Sequence, residues 1–146
     1  IASGVPHIPF EALDADYEID KEAYQEYFRK MHQLFPKCKK MLMAVRNQIA
    51  SSHHTLSGLL YDAVEDQLYT TRIYDIEPIV DPMGVGDAFI AAYIHAHQKW
   101  GDKNQYCLDF SLSASAIKNT VPGDQNLVTE EEIINNMTSS GGRIQR

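Results

Sequence analysis

The chain has 146 residues, 44% of them apolar and 23% charged, enough for one soluble domain around one hydrophobic core. Its net charge is −7 and no basic run exceeds "KCKK" at 37–40, so it lacks the Lys/Arg footprint with which a nucleic-acid surface neutralises phosphates. No apolar run approaches the ~18 residues of a membrane span, and no charged n-region with an apolar h-region opens the chain, so neither a transmembrane helix nor a secretory leader is expected.

The first fifteen residues, "IASGVPHIPFEALDA", are punctuated by Pro and Gly and read as mostly irregular. From Asp20, "DKEAYQEYFRKMHQLF" sets Tyr24, Tyr27, Phe28, Met31 and Leu34 at helical spacing, with Asp20 as N-cap and Pro36 as stop. That aromatic stripe reads as core. "KKMLMAVR" (39–46) predicts a short buried strand, and "NQIASSHHTLS" a polar loop. "GLLYDAV", "EDQ" and "LYTTRIYD" predict an antiparallel hairpin around an acidic turn, and "IEPIV" a third short strand. A helix follows from Gly86 to Trp100, with Phe89, Ala92, Tyr93, Ala96 and Trp100 on one stripe and Gly101 as its C-terminal stop. A Ser/Ala-rich helix from Gln105 to Asn119 carries Phe110, Ala114 and Ile117 on one face and permits close approach of a neighbour. "VPGDQN" breaks it, and "TEEEIINNM" predicts a last helix capped by Thr129 with acids in its first turn. Helices alternating with about four strands imply a layered α/β architecture whose sheet is incomplete and has an open edge.

The stretch that carries chemistry is "DPMGVGDAF", Asp81 to Phe89. A strand followed by GVGD at a helix start presents backbone N–H groups that have no intrahelical partner, at the positive end of the helix dipole. An acidic protein can bind an anion there without a basic side chain. Glycine at 84 and 86 lets a ligand approach the backbone closely. Asp87, in the first helical turn, is a carboxylate placed beside that anion site, as phosphoryl transfer to a hydroxyl requires. By spacing alone, GxGD is also a common turn, and it is no P-loop because no GK[ST] follows.

"DPMGVGDAFIAAY" resembles the C-terminal signature of the ribokinase-like (PfkB) carbohydrate kinases, D-T-x-G-A-G-D-x-F-x-A-G. "AVRNQIASSHHTLSGLLYD", "YDIEPIVDPMGVGDAF", "ASAIKNTVPGDQNLVTEEEI" and the closing "GGRIQR" are similar, in that order, to segments of the 2-keto-3-deoxygluconate kinases of that family. The resemblance implies the C-terminal, nucleotide-binding part of a ribokinase-like three-layer α/β/α sandwich over residues 1–146. It implies ATP as phosphoryl donor, Mg²⁺ bridging its phosphates, and a monovalent cation such as K⁺ as a further candidate. Asp87 would be the catalytic base, and the amides of Gly84, Val85 and Gly86 the anion hole. Asp81 would organise the loop and an adjacent monovalent-cation site. Thr120 to Gly123 would border the nucleotide, some of its carbonyls facing the cation, and Arg46 would lie near the phosphates. Pro82, Val85 and Ala92 depart from the family's common Thr, Ala and Gly. The family's N-terminal half, with the sugar lid and an Asn-x-x-Glu magnesium segment, has no counterpart in this sequence, and with Ile1 as first residue the expectation is a processed or truncated chain.

Other candidates point elsewhere. His53/His54 and His95/His97 lack the i, i+4 spacing of a helical zinc site and read as surface or structural residues. Ser111, Ser113 and Ser115 have no nucleophile motif around them. Cys38 and Cys107 read as two reduced thiols of a cytoplasmic protein. The functional expectation is ATP-dependent phosphorylation of 2-keto-3-deoxygluconate, a small-molecule sugar acid, at its terminal hydroxyl. Fructose, ribose and another hexulosonate are alternative acceptors. The alternative from another class is a catalytically incomplete module that binds nucleotide or self-associates, as a homo-oligomer or with a missing N-terminal half.

Overall fold

Asp20 starts the first described element: its side chain accepts the Ala23 N–H at 3.0 Å, capping helix α1 (Lys21–Leu34). The structure is a computed structural model that describes residues 18–139 and the backbone of Arg143–Ile144. Strands β1 (Lys40–Ala50), β2 (His53–Asp62), β3 (Gln67–Thr70) and β4 (Tyr74–Ile76) follow, then helices α2 (Val85–Trp100), α3 (Asn104–Lys118) and α4 (Glu130–Thr138), and strand β5 (Arg143–Ile144). The expected irregular stretch over the first fifteen residues lies outside the described residues, as does most of "GGRIQR".

β2 is the axis of the sheet. It pairs antiparallel with β1 from Lys40↔Asp62 to Ala50↔His53. Along its other edge β3 and β4 pair in series, Leu59 opposite Thr70 and His54 opposite Ile76. β4 pairs with β5 in parallel. The outer edge of β1 has no partner among the described residues. Alternation along β2 sends Leu59 and Tyr61 to one face, with Val45 of β1 and with Tyr24 and Phe28 of α1. Leu56 and Leu60 go to the other face, with Tyr74, Ile76 and the apolar stripes of α2, α3 and α4. The result is helix, sheet and helices: three layers over a small, mainly antiparallel sheet.

Two devices fasten the layers. Arg29 of α1 makes a two-pronged ion pair with Asp66 at 2.7 and 2.8 Å, and Tyr61 donates to the same carboxylate at 2.7 Å. On the opposite face Arg72 donates to the carbonyls of Asn136 and Ser139 at the end of α4, where helix carbonyls lack intrahelical partners.

Several sequence expectations need correction. "NQIASSHHTLS" is no loop: β1 runs on to Ala50 and β2 begins at His53, leaving only Ser51 and Ser52 as the turn. Its polar residues sit where both ladder and core accept them, so His54, Thr55 and Ser57 are buried. β1 is consequently longer than 39–46 and mostly exposed or half-buried, with only Val45 and Asn47 buried. "IEPIV" contributes only Ile76 to a strand, and the chain leaves the sheet before Pro78. Five strands, not four, are described. α3 is buried around nearly its whole circumference and not on the one expected face. The N-cap at Asp20, the stop at Gly101 and the Thr129 capping box with Glu132 stand where expected.

Phe28 is 2% exposed and stacks on Tyr61 at 5.7 Å between centroids, so it is the main tie of α1 to the sheet. Phe28→Ala should cost ~3–5 kcal/mol of stability in urea titration. A cost below ~1 kcal/mol would mean that α1 contributes little to the core.

Candidate active site

The segment between β4 and α2 is moored at both ends. Ile79 N–H donates to Ser52 O at 2.8 Å, and the N–H groups of Val80 and Asp81 donate to Asn119 O at 2.8 and 3.2 Å. From this fixed position the Asp81 carboxylate reaches two loops. Met83 N–H donates to its Oδ1 at 2.9 Å and Gly123 N–H to its Oδ2 at 2.8 Å. These two bonds, first Met83 and then Gly123, hold its carboxyl below the usual carboxylate range, with a smaller contribution from the charge of Lys118.

Helix α2 opens directly after this clasp. Gly84 is its N-cap, with φ +74°, and no side chain caps the helix. A Cβ on Gly84 would lie 2.4 Å from Asp124 O, so both the left-handed backbone and the close approach of the 120–124 loop require glycine. Gly86 has open space around it, and Asp87 is exposed in the first turn. Val85 O accepts the Ser115 hydroxyl at 2.9 Å, which locks the start of α2 to α3. The arrangement is an uncapped helix N-terminus with amides facing outward, one glycine-lined approach and one carboxylate beside it.

The second loop is built by the end of α3. Thr120 donates to Ile117 O through its N–H at 2.8 Å and its hydroxyl at 2.7 Å, and Gly123 adopts φ +83°. The structure therefore brings together Asp81, Gly84, Val85, Gly86, Asp87, Thr120 and Gly123. It does not join Arg46 to them. Arg46 is exposed on β1 opposite Leu56, and no hydrogen bond or ion pair among the described residues links it to this loop. Its charge is felt instead by His54, whose pKa is lowered first by burial and then by the charges of Arg46 and His53.

Four residues that build the site were not singled out in the sequence for that role. Asn119 offers the carbonyl that anchors Val80 and Asp81, Ser115 fixes Val85, Asp124 forms the floor under Gly84, and Lys118 donates its ammonium to Val121 O at 2.9 Å. The Ser/Ala richness of 111–116 did announce close helix packing, and the serines carry it. Ser113 donates to Ile133 O of α4 at 2.8 Å, as Ser115 does to α2. Among the described histidines, His53 bonds Asp75 at 2.5 Å and His95 bonds Glu130 at 2.8 Å. Among the described residues no three His, Cys, Asp or Glu side chains converge as metal ligands, and both cysteines are free thiols.

The layers and the loop they present define the ribokinase-like class of α/β folds. Within that class the chain is similar to solved carbohydrate kinases. It is similar to the crystal structure of 2-dehydro-3-deoxygluconokinase from Thermotoga maritima, with 27% identity and a TM-score of 0.76 over 82% of this chain and 35% of that one. It is also similar to a PfkB family carbohydrate kinase from Listeria grayi, at 26% identity and TM-score 0.73 over 87% of this chain and 37% of that one. A third structure, from Enterococcus faecalis, has 19% identity and a TM-score of 0.67 and bears on the fold alone. No protein-family model and no curated protein sequence matches the chain. The chain spans about a third of the length of the solved structures it matches.

Two measurements test the loop. Gly84→Ala meets both a left-handed φ and a backbone oxygen and should cost ~1–3 kcal/mol, whereas Gly86→Ala, in open helical space, should be neutral or gain ~0.5–1 kcal/mol. Equal effects on the denaturation midpoint would contradict the close contact with Asp124. Because the folded carboxyl of Asp81 titrates below its ordinary value, its contribution is present above pH ~4 and is lost as pH falls further. The amide resonances of Met83 and Gly123 should therefore move together below pH ~4, and stay still in Asp81→Asn.

Proposed function

We propose that this chain is the nucleotide-binding, C-terminal part of a sugar kinase that transfers the γ-phosphate of ATP to the terminal hydroxyl of 2-keto-3-deoxygluconate. One observation carries the reading: the Asp81 carboxylate pins two loops so that the open amides of Gly84–Gly86 and the exposed carboxylate of Asp87 share one mouth. The similarity to 2-dehydro-3-deoxygluconokinase supports the choice of acceptor.

In this reading the amides of Gly84, Val85 and Gly86 receive the charge that spreads over the transferring phosphoryl group, aided by the positive end of α2. Asp87 accepts the proton of the attacking hydroxyl and holds that oxygen in line with the phosphorus. Thr120 and Gly123 border the nucleotide. Magnesium, when bound with the nucleotide, neutralises the charge on its phosphates. Phosphate binding here depends on fixed dipoles, which suits a chain with net charge −7.

A second reading has its own observation. The outer edge of β1 is unpaired among the described residues, and beside it Tyr27, Met31, Phe35 and Met41 line an apolar groove. A chain with such an edge binds nucleotide but completes its acceptor site only with a further piece of protein or a second copy.

ADP release with ATP, Mg²⁺ and 2-keto-3-deoxygluconate tests the first reading. Turnover above the no-sugar background is expected when the acceptor side is complete, and Asp87→Asn should lower kcat by ~10²–10⁴-fold while leaving the melting temperature unchanged. Near-normal turnover of that variant would remove Asp87 from the role of base. Nucleotide protection without turnover, together with a mass that rises with concentration, would favour the second reading.

A further inference from the structure

The last turn of α3 carries a lysine at a position that is buried on every side. Lys118 is 0% exposed, and its ammonium donates to Val121 O at 2.9 Å. An ammonium removed from water costs several kcal/mol unless polar groups replace its hydration. Among the described residues Lys118 makes no ion pair with a carboxylate. Its compensation comes from the turn that it caps, Thr120–Gly123. That same turn donates the Gly123 N–H to Asp81 Oδ2 at 2.8 Å.

The ribokinase-like fold implies a monovalent cation at this junction, held by Asp81 and by carbonyls of the 120–123 turn. The residues present do not fit a free ion well. Both Asp81 oxygens already accept backbone N–H groups, and one of the turn's carbonyls already holds a cation that belongs to the chain. An ammonium group and K⁺ are close in size, and both are coordinated by carbonyl oxygens. A tethered ammonium loses no translational freedom on binding and cannot dissociate at low salt.

We infer that the Lys118 ammonium is the built-in cation of the junction between Asp81 and the 120–123 turn, so that this site takes no K⁺. The inference rests on the proposed kinase reading only for what the junction lies next to. ADP release decides that reading, whereas the tests below need neither ATP nor sugar.

The wild-type chain is melted in KCl, NaCl and choline chloride at equal ionic strength, with K⁺ titrated at constant total salt. The same midpoint in all three is expected, with no saturable response to K⁺. A K⁺-specific, saturable rise in the wild type overturns the inference. Lys118→Met keeps an unbranched apolar stem and removes the charge. It should melt lower in choline and recover saturably with K⁺ in preference to Na⁺. A Lys118→Met chain that folds and shows no preference for K⁺ also overturns it. Should that variant fail to fold, the wild-type amide resonances of Met83 and Gly123 decide: they should be unmoved by K⁺, and a saturable shift would place an exchangeable ion at the junction.

Discussion

Strand β2 is the constraint on which the rest of the structure depends. Nine of its ten residues are buried, because apolar layers press on both of its faces. Gly58 marks the tightest point: a Cβ there would come within 3.2–3.4 Å of Thr71, Leu108 and Leu112, so α3 lies directly on the strand. With β2 fixed, the position of β4 follows from its pairing with His54–Leu56, and the direction of the chain leaving β4 is set by its contact with Ser52. The mouth formed by Asp81, Gly84 and Gly123 is therefore positioned by the core, although none of these three residues is itself buried.

Within that mouth the energetics are local. An acidic chain repels anions at long range, but N–H groups fixed at the start of a helix act at contact distance, where solvent screening is weakest. Asp81 places a negative charge under the same loop, and this is tolerable because two amides and the nearby Lys118 offset it. The loop geometry is thus maintained by the bonds of Asp81 to Met83 and Gly123.

The parts of this arrangement that sequence made legible are those governed by neighbours in the chain. Asp20, Gly101 and Thr129 act within one helical turn, so their roles follow from spacing alone. The glycines of GVGD likewise announced a tight opening to α2. The strand ends were obscured because His54, Thr55 and Ser57 are polar by composition but buried by partnership with β1 and β4. "IEPIV" misled in the opposite direction, being apolar yet leaving the sheet before Pro78. Asn119 acts through bonds to Val80 and Asp81, whose closeness to it arises only once the layers have assembled, and no local pattern marks such a residue.

The burial of α3 on all sides also bears on the order of events in folding. A fifteen-residue helix rich in serine has modest intrinsic stability, since Ser competes for its own backbone and the chain length is near the limit for isolated helices. The Ser113 and Ser115 hydroxyls find their acceptors in α4 and α2 only after those helices have docked. The β1–β2 hairpin, closed by two residues, can form from contacts close in sequence, whereas α3 acquires its environment from β2, α2 and α4 together. The helix that frames the mouth is thus an element whose formation coincides with completion of the core.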